Sequence, residues 1–184
     1  MSRVVLVDAD DRPVGVEEKW NAHLLGRLHR AFSVVLMRDD GALLLQRRAM
    51  GKYHSGGLWS NTACGHPGPN EDVAVAARRR LGEEMGIDCG LEPVASFVYR
   101  GDVGERLAEH ELDHLFIGRC GGRVVPRPDG AEVSDWRWAA PDALARELAA
   151  RPDRFTIWMA PVLRELAQAG LVDVPVAARR ARVA

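Results

Sequence analysis

The fold can be predicted from the stretch Asn61-Thr62-Ala63-Cys64-Gly65-His66-Pro67. Its Gly65 is the first residue of a longer pattern of regularly spaced glycine, glutamate and arginine residues. Five residues separate Gly65 from Glu71, and seven more separate Glu71 from Arg79. The chain then continues as Arg80-Leu81-Gly82-Glu83-Glu84-Met85-Gly86-Ile87. A glycine-rich loop, a polar helix and a second glycine at this spacing predict a loop–helix–loop unit.

This pattern resembles the Nudix box, G-x5-E-x7-R-E-U-x-E-E-x-G-U with U an apolar residue, a unit that holds divalent metal against a diphosphate. One position departs from it, since Arg80 stands where the box has its first glutamate after the arginine. The motif therefore has one carboxylate fewer than the Nudix box, and Cys64 immediately precedes its first glycine. The combination suggests a diphosphate enzyme with an activity other than hydrolysis.

The two adjacent glutamates of the predicted helix point about 100° apart, so they face different surroundings. Glu84 shares a face with Arg80, and Glu83 shares one with Arg79, in each case at i, i+4. An ordinary solvated helix with two surface ion pairs would look the same. The spacing of the box favours a metal site instead, with Glu84 as the Mg²⁺ ligand, because Arg80 beside it can meet the phosphate charge that the metal attracts.

Length and composition are those of an ordinary soluble domain. The 184 residues are 47% hydrophobic and 28% charged, with a net charge of −1. We expect one domain over residues 1–184, with a core over about 30–165 and a solvated tail over 171–184. The nearly neutral charge gives no reason to expect nucleic acid or a membrane surface as a partner.

The cysteines and the N-terminal residues indicate in which cellular compartment the protein is expected. Cys64, Cys89 and Cys120 are few, odd in number and widely spaced, so a disulfide framework is not expected. The chain meets Asp8 after only four apolar residues, which is unlike a signal peptide, and it contains no apolar run long enough to span a membrane. A cytoplasmic location follows as the expectation.

Hydrophobic patterning predicts an α/β fold of the α+β type, a mixed β-sheet sandwiched between α-helices. Strands are predicted at 4–7, 31–37, 42–46, 94–99, 112–119 and 136–139, with a turn at 39–41 and a loop over 51–69. Asn70 is the predicted N-cap of a helix that runs from Glu71 to Met85, with Gly86 after its end. Further helices are predicted from Pro141 to Ala150 and from Thr156 to Ala169.

Histidine and glutamate side chains predict a second metal site. Glu109 and Glu111 lie two apart at the start of a strand, so their carboxylates turn to the same side. His23, His29 and His66 taken singly would each be an ordinary histidine. Together with the two carboxylates they would form a five-ligand site with room for one water, suited to an octahedral Mn²⁺, Zn²⁺ or Mg²⁺.

Other side chains offer chemistry or binding. Cys64 is either a small buried apolar residue or, beside a histidine and positive charge, a thiolate base. Two interpretations apply to the basic residues Arg47, Arg48 and Lys52. They are either solvated side chains at the end of a strand, or they neutralise the outer oxygens of a diphosphate. Taken without further information, Tyr99 and Trp158 are core aromatics.

Taken together, these segments resemble the type 1 isopentenyl-diphosphate isomerases, a family on the Nudix fold. The resemblance covers nearly the whole chain and is most specific at W-x-N-x-x-C-G-H-P. The matching segments are Glu18-Lys19-Trp20-Asn21-Ala22-His23, Arg27-Leu28-His29-Arg30-Ala31-Phe32-Ser33, Leu44-Leu45-Gln46-Arg47-Arg48-Ala49, Leu58-Trp59-Ser60-Asn61-Thr62-Ala63-Cys64-Gly65-His66-Pro67, Glu109-His110-Glu111 and Trp158-Met159. The interval between His23 and His29 is one residue shorter than in the enterobacterial form of the family.

The resemblance implies roles for individual residues. It implies a metal bound by three histidines and two glutamates, which here are His23, His29, His66, Glu109 and Glu111. It implies a Mg²⁺ bound by Glu84 and the main-chain carbonyl of Cys64, and a catalytic pair formed by Cys64 and Glu111. Arg48, Lys52 and Arg80 would bind the diphosphate. Tyr99 and Trp158 would line the pocket.

The activity implied by the resemblance is a 1,3-allylic proton shift between isopentenyl and dimethylallyl diphosphate, through a tertiary carbocation. Glu111, with Tyr99, would supply one proton and the Cys64 thiolate would remove another. The partner is then a small-molecule substrate, and the protein would be a monomer or homodimer. The alternatives are a metal-dependent Nudix diphosphate hydrolase, which the missing glutamate disfavours, and a non-catalytic binding module, which would have no use for Cys64.

Overall fold

A computed structural model describes residues 2–104, 106–121 and 124–174. These residues form nine strands of one sheet and four α-helices. The strands are β1 (Arg3–Val7), β2 (Pro13–Glu18), β3 (His29–Arg38), β4 (Leu43–Arg48), β5 (Trp59–Ser60), β6 (Ala63–Gly65), β7 (Glu92–Asp102), β8 (Ala108–Cys120) and β9 (Val133–Ala139). The helices are α1 (Lys19–Leu24), α2 (Val73–Met85), α3 (Pro141–Ala150) and α4 (Met159–Gln168), and a 3₁₀ turn spans Pro152–Arg154.

Strand β3 is the central strand of a mixed sheet and pairs with four other strands. It runs parallel to β8 over ten residue pairs, from His29 opposite Glu111 to Arg38 opposite Cys120. It runs antiparallel to β1, β4 and β6, and β7 pairs antiparallel with β8. Strand β4 also pairs with β5 and β9. The predicted mixed sheet is therefore confirmed, as is the hairpin between β3 and β4.

The sheet is covered by helices on both faces. Alternate residues of β3 point to opposite sides, so Val34 and Leu36 lie in one apolar cluster with Leu81 of α2, whereas Val35 lies in another with Val162 of α4. Burial on both faces explains why β3 reads as a continuous apolar run. This arrangement confirms the predicted sandwich of a sheet between helices.

Helix α2 carries most of the motif that starts at Gly65, and its ends differ slightly from the prediction. The side chain of Asp72, not Asn70, caps it by accepting hydrogen bonds from the backbone N–H groups of Ala74 and Val75. Asn70 instead takes a left-handed conformation (φ 65°) in the preceding turn. Gly86 ends the helix at φ 64°, as predicted, and a Cβ there would lie 2.6 Å from the carbonyl oxygen of Arg127.

Several elements differ from those predicted. Strand β2 and helix α1 were not expected, and the predicted loop over 51–69 contains the short strands β5 and β6. Helix α4 begins at Met159 rather than Thr156. Val172 and Val174 are buried in the α4-side cluster, so residues 171–174 are not part of a solvated tail. The remainder of the predicted tail, residues 175–184, lies outside the described residues.

Among the helices that the structure describes, none has both the length and the apolar character that crossing a membrane requires.

Candidate active site

A cavity of about 600 Å³ opens where β6, β8 and α2 meet. Ten of the twelve predicted site residues line it: Arg48, Lys52, Cys64, His66, Arg80, Glu84, Tyr99, Glu109, Glu111 and Trp158. The other two, His23 and His29, are fully buried and lie 3.3 Å from Glu109 and 3.4 Å from Glu111. Residues that are far apart in the sequence thus meet at one cavity.

Register between strands assembles the first half of a histidine–glutamate cluster. The parallel pairing of β3 with β8 sets His29 opposite Glu111, and β6 delivers His66 from the other side of β3. Nε2 of His66 lies 2.7 Å from Oε1 of Glu111 and 3.2 Å from Nε2 of His29. Together with His23, these side chains offer ligand atoms that lie within 4.8 Å of one another.

Glu109 forms the other half of the cluster with two histidines. Its Oε2 lies 3.3 Å from Nε2 of His23, and its Oε1 lies 3.1 Å from Nε2 of His54. All three residues are buried. His23 therefore reaches the cluster despite the short interval to His29. Glu109 and Glu111 lie on one side of β8, as strand alternation predicted, whereas the intervening His110 hydrogen-bonds to the carbonyl of Gly26.

The donor set fits a divalent metal ion. Nδ1 of His23 and of His29 each lies against a main-chain carbonyl, that of Lys19 at 2.7 Å and that of Arg27 at 2.8 Å, which leaves Nε2 free to face the carboxylates. Burial lowers the pKa of His66 to about 3, so its imidazole is neutral and able to bind a metal. Oε2 of Glu109 is buried without a hydrogen-bond partner. Such an oxygen is costly unless a cation faces it.

The two carboxylates of the cluster respond differently to their surroundings. Burial raises the pKa of Glu109 well above its usual value, and the charge of Glu111 adds to the effect. Burial opposes ionisation of Glu111 as well, but His66 and His29 hold the pKa of Glu111 well below its usual value. The side chains alone thus favour one charged and one neutral carboxyl.

Cys64 lies in β6 opposite Ser33 of β3, and its Sγ is 3.8 Å from Nη1 of Arg48. Burial raises the pKa of Cys64 to about 12, whereas Arg48 acts in the opposite direction. The positive charge expected from the sequence is present, but it does not outweigh burial. The side chains around Cys64 thus favour the neutral thiol over the predicted thiolate. Cys120 donates a weak hydrogen bond to the carbonyl of Met37 and does not line the cavity.

The charged end of the cavity surrounds Glu84. Arg80 lies 2.7 Å from Oε1 of Glu84, and the amide of Gln46 donates to its Oε2 at 2.7 Å. Glu84 is 3% exposed, so burial raises its pKa, which Arg80 opposes. Arg80 also lies 3.0 Å from Glu132, and Lys52 pairs with that same carboxylate. Glu84 and Arg80 therefore share a face, as predicted.

The aromatic end of the cavity contains Tyr99 and Trp158, both buried. The hydroxyl of Tyr99 donates to Oε2 of Glu111 at 2.5 Å. The guanidinium of Arg48 lies 5.4 Å from the centre of the indole ring of Trp158. Both aromatics thus belong to the apolar core and to the cavity wall at once.

Sequence reasoning missed several residues of the cavity wall: Lys19, Tyr53, His54 and Glu132. Lys19 lies within the matching segment 18–23, and burial lowers its pKa. The hydroxyl of Tyr53 lies 3.3 Å from Nε2 of His23, so Tyr53 contacts the histidine–glutamate cluster. Glu132 is brought in by the pairing of β9 with β4 and had no signal in the sequence around it.

Comparison with known proteins agrees with this geometry. Residues 27–166 match the NUDIX domain. The chain is 54% identical to the isopentenyl-diphosphate Delta-isomerase of Burkholderia multivorans, over 85% of this chain and 88% of that protein. It is 48% identical to the enzyme of that name from Halorhodospira halophila, over 90% and 95% of the two chains, and 43% identical to that of Serratia proteamaculans, over 89% and 90%.

Solved structures show the same fold at low sequence identity. A protein of Deinococcus radiodurans has a TM-score of 0.71 at 19% identity, over 89% of this chain and 98% of that one. A MutT protein from Methanosarcina mazei has a TM-score of 0.62 at 15% identity, over 78% and 95% of the two chains. The Nudix fold predicted from the sequence is thereby confirmed, and the chain belongs to the NUDIX family, within the isopentenyl-diphosphate Delta-isomerases.

Proposed function

We propose that the protein interconverts isopentenyl diphosphate and dimethylallyl diphosphate by a 1,3-allylic proton shift. The observation that carries the proposal is that Cys64 and the Glu111–Tyr99 pair line one cavity that also contains a basic end. An isomerase of this kind needs an acid and a base at one substrate, together with a site for the diphosphate. The names of the similar enzymes support the same reaction.

The substrate would lie with its diphosphate at the charged end and its five-carbon chain at the aromatic end. Lys52 and Arg80 present an ammonium and a guanidinium group at the charged end, and Arg48 lines the same cavity beside Cys64. Arginine binds phosphate oxygens in pairs. Arg80 and Lys52 are held by the carboxylate of Glu132, so their positions are set before substrate binds. The diphosphate acts as a handle and does not leave.

The proton transfers would use groups on the wall of the cavity. Glu111, with Tyr99 in hydrogen-bond contact, would protonate the terminal alkene carbon and leave a tertiary carbocation. Cys64 as thiolate would remove a proton from C2 to give the isomer. The indole face of Trp158 would stabilise the cation without acting as a nucleophile. Enclosure by Trp158 and Tyr99 would keep out the water that would otherwise quench it.

Two kinds of metal site are proposed, in line with the donors present. Mg²⁺ would be held by Glu84 and the main-chain carbonyl of Cys64, and Mn²⁺, Zn²⁺ or Mg²⁺ would be held by the histidine–glutamate cluster. When bound, these ions would supply positive charge that attracts the diphosphate and stabilises the ionised form of the cysteine. The buried, unpartnered oxygen of Glu109 supports the second site.

A diphosphate hydrolase on the same fold is the competing function, and the geometry favours it less. Arg80 stands where the box has a glutamate, which leaves one carboxylate fewer to bind metal and activate water. The proposal is tested by incubating the protein with isopentenyl diphosphate and Mg²⁺ and measuring two products. Dimethylallyl diphosphate without inorganic phosphate supports the isomerase, and phosphate without the isomer supports the hydrolase.

A further inference from the structure

We propose that His54 is an additional side-chain ligand at the histidine–glutamate metal centre, so that four histidines and two glutamates surround one ion. This inference rests on the metal centre of the proposed function and adds a ligand to it. His54 lies in the loop between β4 and β5, away from the residues that the sequence selected as ligands.

His54 has the same arrangement as the histidines already assigned to the cluster. Its Nδ1 lies 3.1 Å from the hydroxyl oxygen of Ser55, and its Nε2 lies 3.1 Å from Oε1 of Glu109. One ring nitrogen is thus held by an oxygen and the other faces a carboxylate, as in His23 and His29. The ring is buried.

The cluster contains two overlapping groups of ligand atoms, and their overlap indicates one ion. His23, His54 and Glu109 form one group, and His23 also belongs to the group that contains Glu111. Because Nδ1 of His23 faces the carbonyl of Lys19, only its Nε2 is available to a metal. A single nitrogen lone pair binds a single ion. An ion that His23 binds as a member of both groups is therefore the same ion.

Glu109 provides a second, independent observation that points to a cation. Its Oε2 is buried and has no hydrogen-bond partner, and it lies 3.3 Å from Nε2 of His23. Its Oε1 faces His54. A carboxylate with one oxygen near each of two histidines, and with one of those oxygens lacking a hydrogen-bond partner, is arranged for a shared cation.

Other histidines of the chain show that this arrangement is specific. His110 lies between the two glutamates in sequence, but its Nδ1 hydrogen-bonds to the carbonyl of Gly26 on the other side of β8. His114 uses both ring nitrogens, one on Ser96 and one on Asp11. Neither belongs to a group of potential metal ligands among the described residues.

Four imidazoles change which ion the centre prefers. Imidazole nitrogen suits transition metals such as Zn²⁺ and Mn²⁺, whereas Mg²⁺ prefers an all-oxygen shell with several waters. The centre therefore selects a transition-metal ion and leaves Mg²⁺ to the site at Glu84. With six side-chain ligands, it also leaves no position for a water on that ion.

The test measures metal binding without substrate. Metal-free wild-type protein, His54→Gln and the matched control His114→Gln are titrated with Zn²⁺ against a competing chelator, and Mg²⁺ is added in excess. X-ray absorption of the zinc-loaded proteins then counts imidazole ligands. Thermal unfolding of the metal-free proteins shows whether either variant is misfolded, since loss of one buried histidine could weaken the loop.

We expect four imidazoles in the wild type and three in His54→Gln, with the Kd for Zn²⁺ at least about tenfold higher in that variant and unchanged in His114→Gln. Excess Mg²⁺ should not displace the bound zinc. Three imidazoles in the wild type, an unchanged Kd in His54→Gln, or an equal loss in His114→Gln would overturn the inference. None of these results depends on turnover, so failure of the proposed isomerase reaction would be seen separately.

Discussion

Nε1 of Trp158 donates a hydrogen bond to Oδ1 of Asn61, with 3.1 Å between the two atoms. The amide of Asn61 donates in turn to the carbonyl oxygen of Ala63, at 2.7 Å, immediately before Cys64. One buried side chain thus fixes the aromatic wall of the cavity and the strand that carries the thiol. This relationship explains the N-x-x-C part of the W-x-N-x-x-C motif, since the amide of Asn61 links Trp158 to the strand that carries Cys64.

Trp158→Phe should lower turnover modestly and Trp158→Leu severely, with little change in KM. Both variants lose the hydrogen bonds to Asn61 and to Ser60, so the comparison between them isolates the aromatic face. Cation–π attraction acts on the carbocation and hardly on the neutral alkene, and is worth about 0.5–2 kcal/mol in such a site. Steady-state kinetics measure the effect. Equal activities in the two variants would make Trp158 a packing residue only.

Cys64→Ala should abolish turnover while diphosphate binding and the fold are retained, because the side chain that is removed is small. Loss of a general base costs a factor of about 10²–10⁴ in rate. Cys89→Ala and Cys120→Ala are the matched controls and should stay active, since neither thiol lines the cavity. A Cys64→Ala enzyme within about tenfold of wild type, equivalent to about 1.4 kcal/mol of barrier, would show that the thiol is not the base.

Glu84→Gln should raise the Mg²⁺ concentration needed for half-maximal activity and weaken substrate binding, because a neutral amide is a poorer ligand for a hard cation. Glu83→Gln is the control, since that side chain is 45% exposed and pairs with Arg79 and Arg80 on the surface of the helix. Titration of activity with Mg²⁺ separates the two variants. Similar losses in both would show that the assigned face of the helix is wrong.

His29→Ala, His66→Ala and Glu109→Ala should each reduce the amount of tightly bound metal that remains per chain after purification. His23→Ala should do the same, since its Nε2 lies 3.3 Å from Oε2 of Glu109. The control is His110→Ala, whose ring faces Gly26. Elemental analysis gives the metal content. If the content is unchanged in all four cluster variants, no metal is bound by these residues.

The sequence predicted the parts of the fold that depend on local spacing. Helix α2 follows from the motif after Gly65 and from Gly86 at its end, and strand β3 follows from its apolar run. Strand β2 was missed because most of its residues are exposed, so it lacks an alternating pattern of burial. The N-cap was placed at Asn70 because Asn70 and Asp72 are both suitable capping residues, and only the turn conformation decides between them.

The candidate site was predictable where its residues lie in motifs and unpredictable where tertiary structure alone brings them together. Glu109 and Glu111 share a side because strands alternate, which the sequence alone indicates. His54 is positioned by the loop between β4 and β5, and Glu132 by the pairing of β9 with β4. No sequence motif around either residue predicts these positions. The strength of burial around Cys64 likewise depends on packing and could not be judged from its neighbours in the chain.

The most direct test of the proposed reaction is incubation with isopentenyl diphosphate and Mg²⁺ in deuterated water, followed by NMR of the products. A proton shift through Glu111 and Cys64 predicts dimethylallyl diphosphate that carries deuterium in the methyl group formed from the terminal alkene carbon, with no inorganic phosphate. Release of phosphate without any isomer would contradict the account.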